Sequence, residues 1–516
     1  MTSWSHGYVS DVEYLPGFYA DQTPGHLQLA CILNGFEPPL STQHFSYCEL
    51  GCGQGTTASV IAAANPLAHV TAIDFNPAQI ARAQRRARDC GLTNIMFLEQ
   101  SFEELKNAAN YKDFDIISLH GVWSWISQND RDAIVSFLAG AVKPGGLVSL
   151  SYNCMPGWTS LLPFQRMLLE HSRLTKTRSD QRVVNSLEFI EQLEQLGCQT
   201  VGNKDFFARF QSKNKIRTEQ DHAVYLAHEY LNQNWQPLYH IDTAQMLEPA
   251  KLNFIGSATL LDNFSDLMLT PEQRKIIDTL PPGALREMTK DYFVNRPFRR
   301  DIYIRGAQKI SDARRNELLG HIGLASIIDN ATPKFTINTP AGEATLPSAK
   351  YQPIFNALSL RPHSCQELDQ MLKELSFDQR PSMVEVAGIL VGTGQAVPLP
   401  WGLETRQDFS TLLFNRNIVE TVVNQESSTV ALASPLSGSG LNINAVEAVV
   451  YKLKVSGVED DRLLPQAIDF LSHSSQRIAI DGKIVTDPKE IAASLRDGVE
   501  WSIKHRLPLW KHLRIL

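Results

Sequence analysis

The sequence predicts an α/β protein whose N-terminal part is a Rossmann-like, doubly wound parallel sheet. Short apolar runs alternate with helical patterns over the first 155 residues, and the first two runs end at a glycine cluster and at an acidic residue. Ligands of such sheets bind outside the carboxyl ends of the strands, where the strand order reverses. The glycines and the acid therefore mark the predicted site.

Each predicted element has its own sequence signal. The helical pattern TTASVIAAANP follows the glycines and stops at Pro66, whereas NPAQIARAQRRARDCG starts with Asn-Pro and ends at Gly91. The turn VKPGG precedes the last strand of this part. Apolar and β-branched runs predict five strands, at residues 45–50, 69–74, 94–100, 114–121 and 146–153.

The segment YCELGCGQGTT limits the class of ligand. Gly51, Gly53 and Gly55 have the spacing G-x-G-x-G, whereas a dinucleotide fingerprint requires G-x-G-x-x-G. The sequence contains no G-x-x-x-x-G-K-[ST], which excludes a P-loop. Glu49 disfavours a pyrophosphate and suits an ammonium group, and Asp74 ends the next strand, where ribose-binding acids lie. Together they predict a ligand with an ammonium group, a ribose and no phosphate, such as S-adenosylmethionine.

Four segments resemble, in order and spacing, the motifs of class I S-adenosylmethionine-dependent methyltransferases. ELGCGQG resembles the first motif, AIDFNPAQI the second, FLEQSFEEL the adenine-contacting third, and VKPGGLVSLSY the segment leading into the fifth strand. One departure concerns Ser101, which stands where many relatives place an aspartate facing the adenine amino group. The resemblance implies cofactor contacts for Tyr19, Glu49, Gly51, Cys52, Gly53, Gly55, Asp74, Phe75, Ser101, Phe102 and His120.

The resemblance also divides these contacts by the part of the cofactor that they serve. Glu49 is expected beside the amino group, and the glycines along the methionine part. Asp74 is expected to accept hydrogen bonds from the ribose hydroxyls. Phe75 is expected to lie against the adenine ring, with Ser101 and Phe102 at the edge of the base.

The segment HGVWSWI, after the fourth strand, bears on the methyl acceptor. A sulfonium is an activated methyl donor, so the enzyme chiefly aligns a nucleophile with the S–CH3 bond. A lysine acceptor, with an ordinary pKa of ~10.4, must first be deprotonated. His120 is a candidate base or a packing residue beside the cofactor, and Trp123 and Trp125 are candidates for a cation–π surface or for ordinary packing.

HGVWSWI, SYNCMPGW and GFEPP together resemble a subgroup of bacterial methyltransferases that carry a methyltransferase regulatory domain. The subgroup includes bacterial protein lysine methyltransferases that act on outer-membrane proteins. The resemblance implies that Tyr152, Asn153 and Trp158 face the active cleft, with Tyr152 and Asn153 as candidate catalytic residues. The segment YLPGFY resembles the lid-like approach of the subgroup, which makes Tyr14 and Tyr19 candidates for the cofactor side.

The rest of the chain predicts inserted helices and accessory domains. His222, His228 and Glu229 do not form H-E-x-x-H and are interpreted as surface or packing residues. FTINTPAGEATLP predicts a hairpin, SCQEL a capping box of Ser364 and Glu367, and the serine-rich residues 427–440 a loop. The predicted domains are a methyltransferase core (1–160), a helical insertion forming a lid or dimer surface (161–236), the completion of the sheet (237–265), regulatory-domain helices (266–310), a winged-helix-like accessory domain (311–405) and a C-terminal domain (406–516).

Composition narrows the partners and the compartment. The net charge of -7 argues against nucleic-acid binding, and the cluster of Arg296, Arg299, Arg300 and Arg305 is expected to be solvated or paired with acids. The seven cysteines include no CxxC pair, so no metal site is predicted. The lack of a signal peptide or an 18-residue apolar run predicts a cytoplasmic protein.

Three functions are compatible with these observations. The first is methyl transfer to lysine nitrogen of a protein, which the large accessory region favours. The second is methylation of a small molecule or surface glycan, with accessory domains used for oligomerisation. The third is a non-catalytic scaffold that only binds the cofactor.

Overall fold

A seven-stranded sheet organises the N-terminal part of the computed structural model, which describes residues 7–39, 44–106, 111–199, 219–328, 333–375, 380–402, 409–424, 430–473, 479–480, 483–484 and 488–516. Its strands are β1 (Ser46–Leu50), β2 (His69–Asp74), β3 (Ile95–Glu99), β4 (Phe114–Leu119), β5 (Val142–Asn153), β6 (Leu252–Ser257) and β7 (Phe298–Arg305). They lie in the order β3-β2-β1-β4-β5-β7-β6. The first five strands are parallel, which confirms the predicted doubly wound sheet.

Helices cover both faces of this sheet, as the alternation of patterns predicts. The Asn76 side chain accepts hydrogen bonds from two backbone N–H groups at the start of the Asn-Pro helix. Ser127 and Asp130 form a reciprocal capping box at the start of another helix. These helices are α1 (Pro24–Leu33), α2 (Thr56–Ala64), α3 (Pro77–Asp89), α4 (Phe102–Lys106) and α5 (Gln128–Ala141).

The sheet is completed further along the chain than the sequence predicts. The predicted completion, residues 237–265, contains β6, but β7 lies outside it and pairs antiparallel with both β5 and β6. Segment 266–310 therefore supplies a central strand in addition to helices. From its arginines, the segment FRRDIYIR is predicted only as a basic cluster. It is nevertheless a strand, in which Ile302, Tyr303 and Ile304 are buried.

The inserted helices occur as predicted and form their own apolar cluster. They are α6 (Leu162–Ser172), α7 (Ser179–Gln195) and α8 (Glu219–Tyr230). The N-terminal segment crosses them, because Asp11 accepts hydrogen bonds from Ser179 and the backbone of Val9 donates to Asn232. Four further helices follow: α9 (His240–Leu247), α10 (Ser265–Met268), α11 (Pro271–Asp278) and α12 (Ala284–Val294).

The accessory region after the sheet is a three-stranded antiparallel sheet with helices. The predicted hairpin and the capping box of Ser364 and Glu367 are confirmed, whereas the winged-helix-like description stays a prediction. Its elements are α13 (Asp312–Gly320), β8 (Ile322–Ser326), β9 (Thr336–Thr339), β10 (Gly342–Thr345), α14 (Ser348–Leu360), β11 (His363–Ser364), α15 (Cys365–Glu374), α16 (Met383–Gly392) and β12 (Ala396–Pro400).

The predicted serine-rich loop at 427–440 is wrong over its described residues. Val430–Ser434 and Ser439–Ile443 form an antiparallel hairpin, because the run VALA is buried between α2 and the helix Phe409–Val423. Residues 425–429 lie outside the described part. The elements here are α17 (Phe409–Val423), β13 (Val430–Ser434), β14 (Ser439–Ile443), α18 (Ala445–Val455), α19 (Asp460–His473), β15 (Ala479–Ile480), β16 (Lys483–Ile484), α20 (Pro488–Trp501) and α21 (Leu507–His512).

A buried network of charges joins β7 to the rest of the sheet. One carboxylate oxygen of Asp301 accepts a hydrogen bond from Tyr152 at 2.7 Å and lies 2.8 Å from His240, while the other accepts from Arg299 at 2.8 Å. Arg299 also donates to both oxygens of Asp291. Burial alone would raise the pKa of Asp301, but Arg299 and His240 outweigh it and hold the pKa below its ordinary value.

No helix in the described ranges is both long and apolar enough to cross a membrane.

Replacing Asp301 by Asn should lower the free energy of unfolding by about 3 kcal/mol, because it leaves Arg299 buried with fewer acceptors. Urea unfolding followed by circular dichroism measures this change. Asp278→Asn is the matched control, since Asp278 pairs with Arg286 at the surface and should change stability by less than ~1 kcal/mol. Equal losses for the two variants would contradict the role assigned to the buried network.

Candidate active site

A cavity of about 900 Å³ lies at the carboxyl ends of β1, β2, β4 and β5. It is large enough for a nucleoside ligand together with an acceptor side chain. Its walls come from the N-terminal segment, the glycine loop, the inserted helix α8 and the residues at the start of β7. The residues that line the cavity include Tyr8, Tyr14, Tyr19, Glu49, Asp74, Phe75, Ser101, Phe102, His120, Trp125, Asn153, His222, Tyr225, Glu229, Tyr230 and Phe298.

The three glycines of the loop all have positive φ, between 55° and 70°. A Cβ on Gly51 would lie 2.3 Å from Val122, and one on Gly55 would lie 2.2 Å from Phe97. Both positions therefore require glycine for backbone conformation and for internal packing. Gly53 contributes in another way, because its backbone N–H donates a hydrogen bond to the carboxylate of Asp74 at 2.8 Å.

Asp74 is buried at the end of β2, where the sequence predicts it. One carboxylate oxygen accepts from the backbone of Gly53 and the other from the backbone of Asn76. Burial raises the pKa of Asp74, and these two hydrogen bonds oppose the rise. Each oxygen keeps a second lone pair. The carboxylate is therefore oriented by the backbone and can accept hydrogen bonds from the hydroxyls of a ribose.

Glu49 is a buried carboxylate at the end of β1. Its Oε2 has no hydrogen-bond partner among the described residues. Burial raises the pKa of Glu49 to about 8, and the nearby charge of Asp74 contributes to the rise. A ligand ammonium group would supply the missing partner and favour the ionised form. Glu49 therefore fits the amino group of S-adenosylmethionine.

The predicted adenine contacts also line the cavity. Phe75 packs edge-to-face against Tyr8, with ring centroids 5.8 Å apart. The Ser101 hydroxyl donates to the Glu104 carboxylate at 2.8 Å and accepts from the Glu104 backbone N–H at 3.3 Å, so one lone pair of its oxygen remains to accept a hydrogen bond from an amino group. Ser101 can thus take part of the role that an aspartate has in many relatives, without a charge.

His120 lies against Tyr19, with ring centroids 3.8 Å apart, and its Nδ1 is 3.1 Å from the Ser151 hydroxyl. Burial lowers the pKa of His120 to about 4. The ring is therefore neutral at pH 7, and its low basicity disfavours a role as general base. It fits the alternative role that the sequence left open, a packing residue beside the cofactor.

Two predicted catalytic side chains do not line the cavity. Tyr152 points to the opposite face of β5 from Asn153, because successive strand residues alternate, and its hydroxyl donates to Asp301. Trp123 is fully buried in the apolar cluster under α5. Trp125 and Asn153 do line the cavity, so their catalytic roles stay predictions.

Sequence reasoning missed the wall that α8 supplies. His222, Tyr225 and Glu229 line the cavity, a position that the interpretation of His222 and Glu229 as surface or packing residues does not anticipate. His228 is buried and its Nε2 contacts the backbone oxygen of Val12, as a packing residue does. The spacing 222, 225 and 229 puts three side chains on one helix face, and this pattern could have indicated the site.

Three of the four arginines in the basic cluster, Arg296, Arg299 and Arg300, are paired with acids, as expected. Arg296 bonds to Asp262 and Asp291, and Arg300 lies 2.6 Å from Asp21. Arg299 belongs to the buried network, and Arg305 donates to a backbone oxygen. Among the described residues, no group of three or more His, Cys, Asp or Glu is arranged to hold a metal.

The sheet order, the glycine loop and the two strand-end carboxylates are those of a class I methyltransferase. Two family models match the chain: a methyltransferase domain over residues 48–148 and a predicted methyltransferase regulatory domain over residues 222–305. The chain is 32% identical to the protein sll1526 of Synechocystis sp., over 99% of this chain and 100% of that protein. It thus belongs to the family of class I, S-adenosylmethionine-dependent methyltransferases with a methyltransferase regulatory domain.

Two further likenesses involve Rickettsia proteins. The chain is 27% identical to RP789 of Rickettsia prowazekii over 64% of this chain and 58% of that protein. The solved structure of PKMT2 from Rickettsia typhi in complex with AdoHcy superposes with a TM-score of 0.68, covering 97% of this chain and 99% of that one. At 18% identity, this match shows that the two chains share a fold.

Binding of S-adenosylmethionine at pH 7 should release close to one proton. Glu49, with a pKa of about 8, is mostly protonated in the free protein and must ionise to face the ammonium group. Titration calorimetry in buffers of different ionisation enthalpy measures the release. Glu49→Gln should bind more weakly without release, whereas Glu99→Gln, at the exposed end of β3, should behave as the unaltered protein. Heats independent of the buffer would contradict this account of Glu49.

Asp74→Ala should raise the cofactor dissociation constant by about tenfold or more, because a hydrogen bond to a charged group is worth ~1.5–3 kcal/mol. The loss should disappear for a cofactor analogue that lacks the ribose hydroxyls, which the unaltered and variant proteins should bind equally weakly. Calorimetry with both ligands measures the difference. A loss of equal size for the analogue would mean that Asp74 acts only by holding the glycine loop.

Proposed function

We propose that the protein transfers a methyl group from S-adenosylmethionine to the side-chain nitrogen of a lysine in a protein substrate. The observation that carries the proposal is the composition of the part of the cavity wall that α8 supplies. Helix α8 brings Glu229 into this wall among tyrosines from two parts of the chain.

The tyrosines lie close enough to Glu229 to respond to its charge. Burial raises the pKa values of Tyr8, Tyr14 and Tyr230, and the Glu229 carboxylate raises each of them further. A carboxylate bordered by aromatic rings suits an ammonium group on a flexible apolar stem, which is what lysine presents. An acceptor that carries a carboxylate would be repelled by this charge.

The same wall supports the loss of a proton that methyl transfer requires. Enclosure between aromatic rings disfavours the charged form of a bound lysine and lowers its pKa. Glu229 first attracts the ammonium group and then offers an oxygen to which its proton can pass. His120, neutral and weakly basic, would border the methyl group and exclude water. Trp125 and Asn153 complete the wall as candidate contacts to the acceptor.

The relatives support the same assignment. The Rickettsia protein that shares the fold is named PKMT2 and holds AdoHcy. By analogy, we assign a protein substrate and no nucleic acid to this chain, with a cytoplasmic location and a homodimer as accompanying proposals. Methylation of a small molecule or glycan, and a scaffold without activity, are the alternatives that the experiment must separate.

The experiment combines the purified protein with isotope-labelled S-adenosylmethionine and bacterial membrane and soluble fractions, followed by mass spectrometry. Label on lysine side chains is the expected result. Label confined to small molecules or polysaccharide would overturn the proposal, and cofactor binding without transfer would favour the scaffold.

With a labelled lysine peptide as substrate, Glu229→Gln should raise KM by about tenfold, because a charge-assisted contact to the ammonium group is lost. The cofactor dissociation constant should stay within about twofold, since Glu49 and Asp74 are unaltered. Steady-state kinetics and calorimetry give the two values. Glu188→Gln, on the exposed face of α7, is the control and should change neither. An unchanged KM for Glu229→Gln would remove Glu229 from the acceptor site.

A further inference from the structure

Helix α12 carries an exposed apolar stripe that leads to the mouth of the cavity. The stripe consists of Leu285, Met288 and Tyr292, which follow each other at intervals of three and four residues and so share one face. Leu285 is 48% exposed and Tyr292 is 54% exposed. The opposite face of α12 is occupied, because Phe293 packs on a small apolar cluster and Asp291 belongs to the buried charge network.

The stripe is continuous with the cavity. Val294, Asn295 and Pro297, directly after Tyr292, line the cavity, and the indole of Trp158 donates to the Pro297 backbone oxygen at 2.7 Å. The Tyr292 ring is stacked with that of Tyr239, with an interplanar angle of 7°, which widens the apolar surface beside the mouth.

We propose that the stripe of Leu285, Met288 and Tyr292 binds an extended apolar segment of the substrate protein next to its target lysine. This inference rests on the proposed lysine methylation. Lys290 pairs with Glu287 and Arg286 with Asp278, and α11 and α12 together carry four basic and four acidic residues, so the surface offers no net charge to a partner. The segment that fits it is therefore apolar and uncharged.

The size of the stripe excludes a second copy of the chain as its main occupant. Three partly exposed side chains present at most roughly 300 Å². A stable dimer buries about 800 Å² on each partner. A short substrate segment needs no more than the smaller area, because the lysine in the cavity adds its own contacts.

Distances along the helix set the position of the apolar residues in the substrate. At ~1.5 Å of rise per residue, Tyr292 lies about 4.5 Å and Leu285 about 15 Å from Asn295 at the cavity mouth. An extended chain advances ~3.3 Å per residue. The favoured apolar side chains should therefore lie roughly one to five residues from the methylated lysine.

A library of peptides with one central lysine tests the inference, with labelled S-adenosylmethionine as donor. The unaltered enzyme should prefer peptides with apolar residues on one side of the lysine. Leu285→Ser and Tyr292→Ser should raise KM for these peptides by about five- to tenfold, with kcat within about twofold, and should not affect peptides that carry serine at those positions. Tyr292→Phe, which keeps the ring, should retain the KM of the unaltered enzyme.

The control is Leu360→Ser, because Leu360 is 76% exposed on α14. Circular dichroism and the cofactor dissociation constant establish that each variant is folded. Lysine labelling with the same KM in all enzymes overturns this inference alone, whereas the absence of any lysine labelling by the unaltered enzyme overturns it together with the proposed function. A loss of dimer mass in sedimentation of Tyr292→Ser, with KM unchanged, would mean that the stripe joins two copies.

Discussion

The parallel pairing of β1 with β2 is the constraint on which the site depends. Leu50 pairs with Ile73, so the strands end side by side and hold Glu49 and Asp74 at one edge of the sheet. The hydrogen bond from Gly53 to Asp74 then ties the glycine loop to this edge. Two buried carboxylates so close together disfavour each other's charge, and burial raises the pKa of both. A ligand that brings a cation and a pair of hydroxyls reduces that cost. This edge of the sheet therefore favours an adenosyl amino acid.

The C-terminal part of the chain packs against the helix that follows the glycine loop. Every residue of α2, the helix that follows the glycine loop, is buried, because the hairpin of β13 and β14 packs on its outer face. Thr411 donates to the backbone of Ala63, and Asn65 donates to the backbone of Gly438. A Cβ on Gly440 would lie 2.6 Å from Val60. The residues after Phe409 therefore help to hold α2, the helix that follows the glycine loop.

The residues matched by the regulatory-domain model, 222–305, are not a separate body attached to the catalytic sheet. They provide β6 and β7, and β7 lies between β5 and β6. They also provide the buried Asp301 and Arg299, together with cavity residues such as Glu229 and Phe298. One segment therefore supplies part of the fold and part of the proposed acceptor wall, which couples the shape of the acceptor site to the stability of the sheet.

The sequence by itself determined the α/β core, the five parallel strands and the candidate cofactor residues at the strand ends, because strand periodicity, helix caps and glycine spacing are local signals read within a few residues. Tertiary structure alone decided which candidates line the cavity. Trp123 and Tyr152 face the core, whereas Glu229 enters the cavity from a helix far along the chain. Tertiary structure also decided the position of β7 in the sheet and the formation of the hairpin that begins at Val430. The physical reason is long-range packing. It decides on which face of a sheet a side chain lies and with which strand a distant segment pairs, and no local pattern in the chain records it.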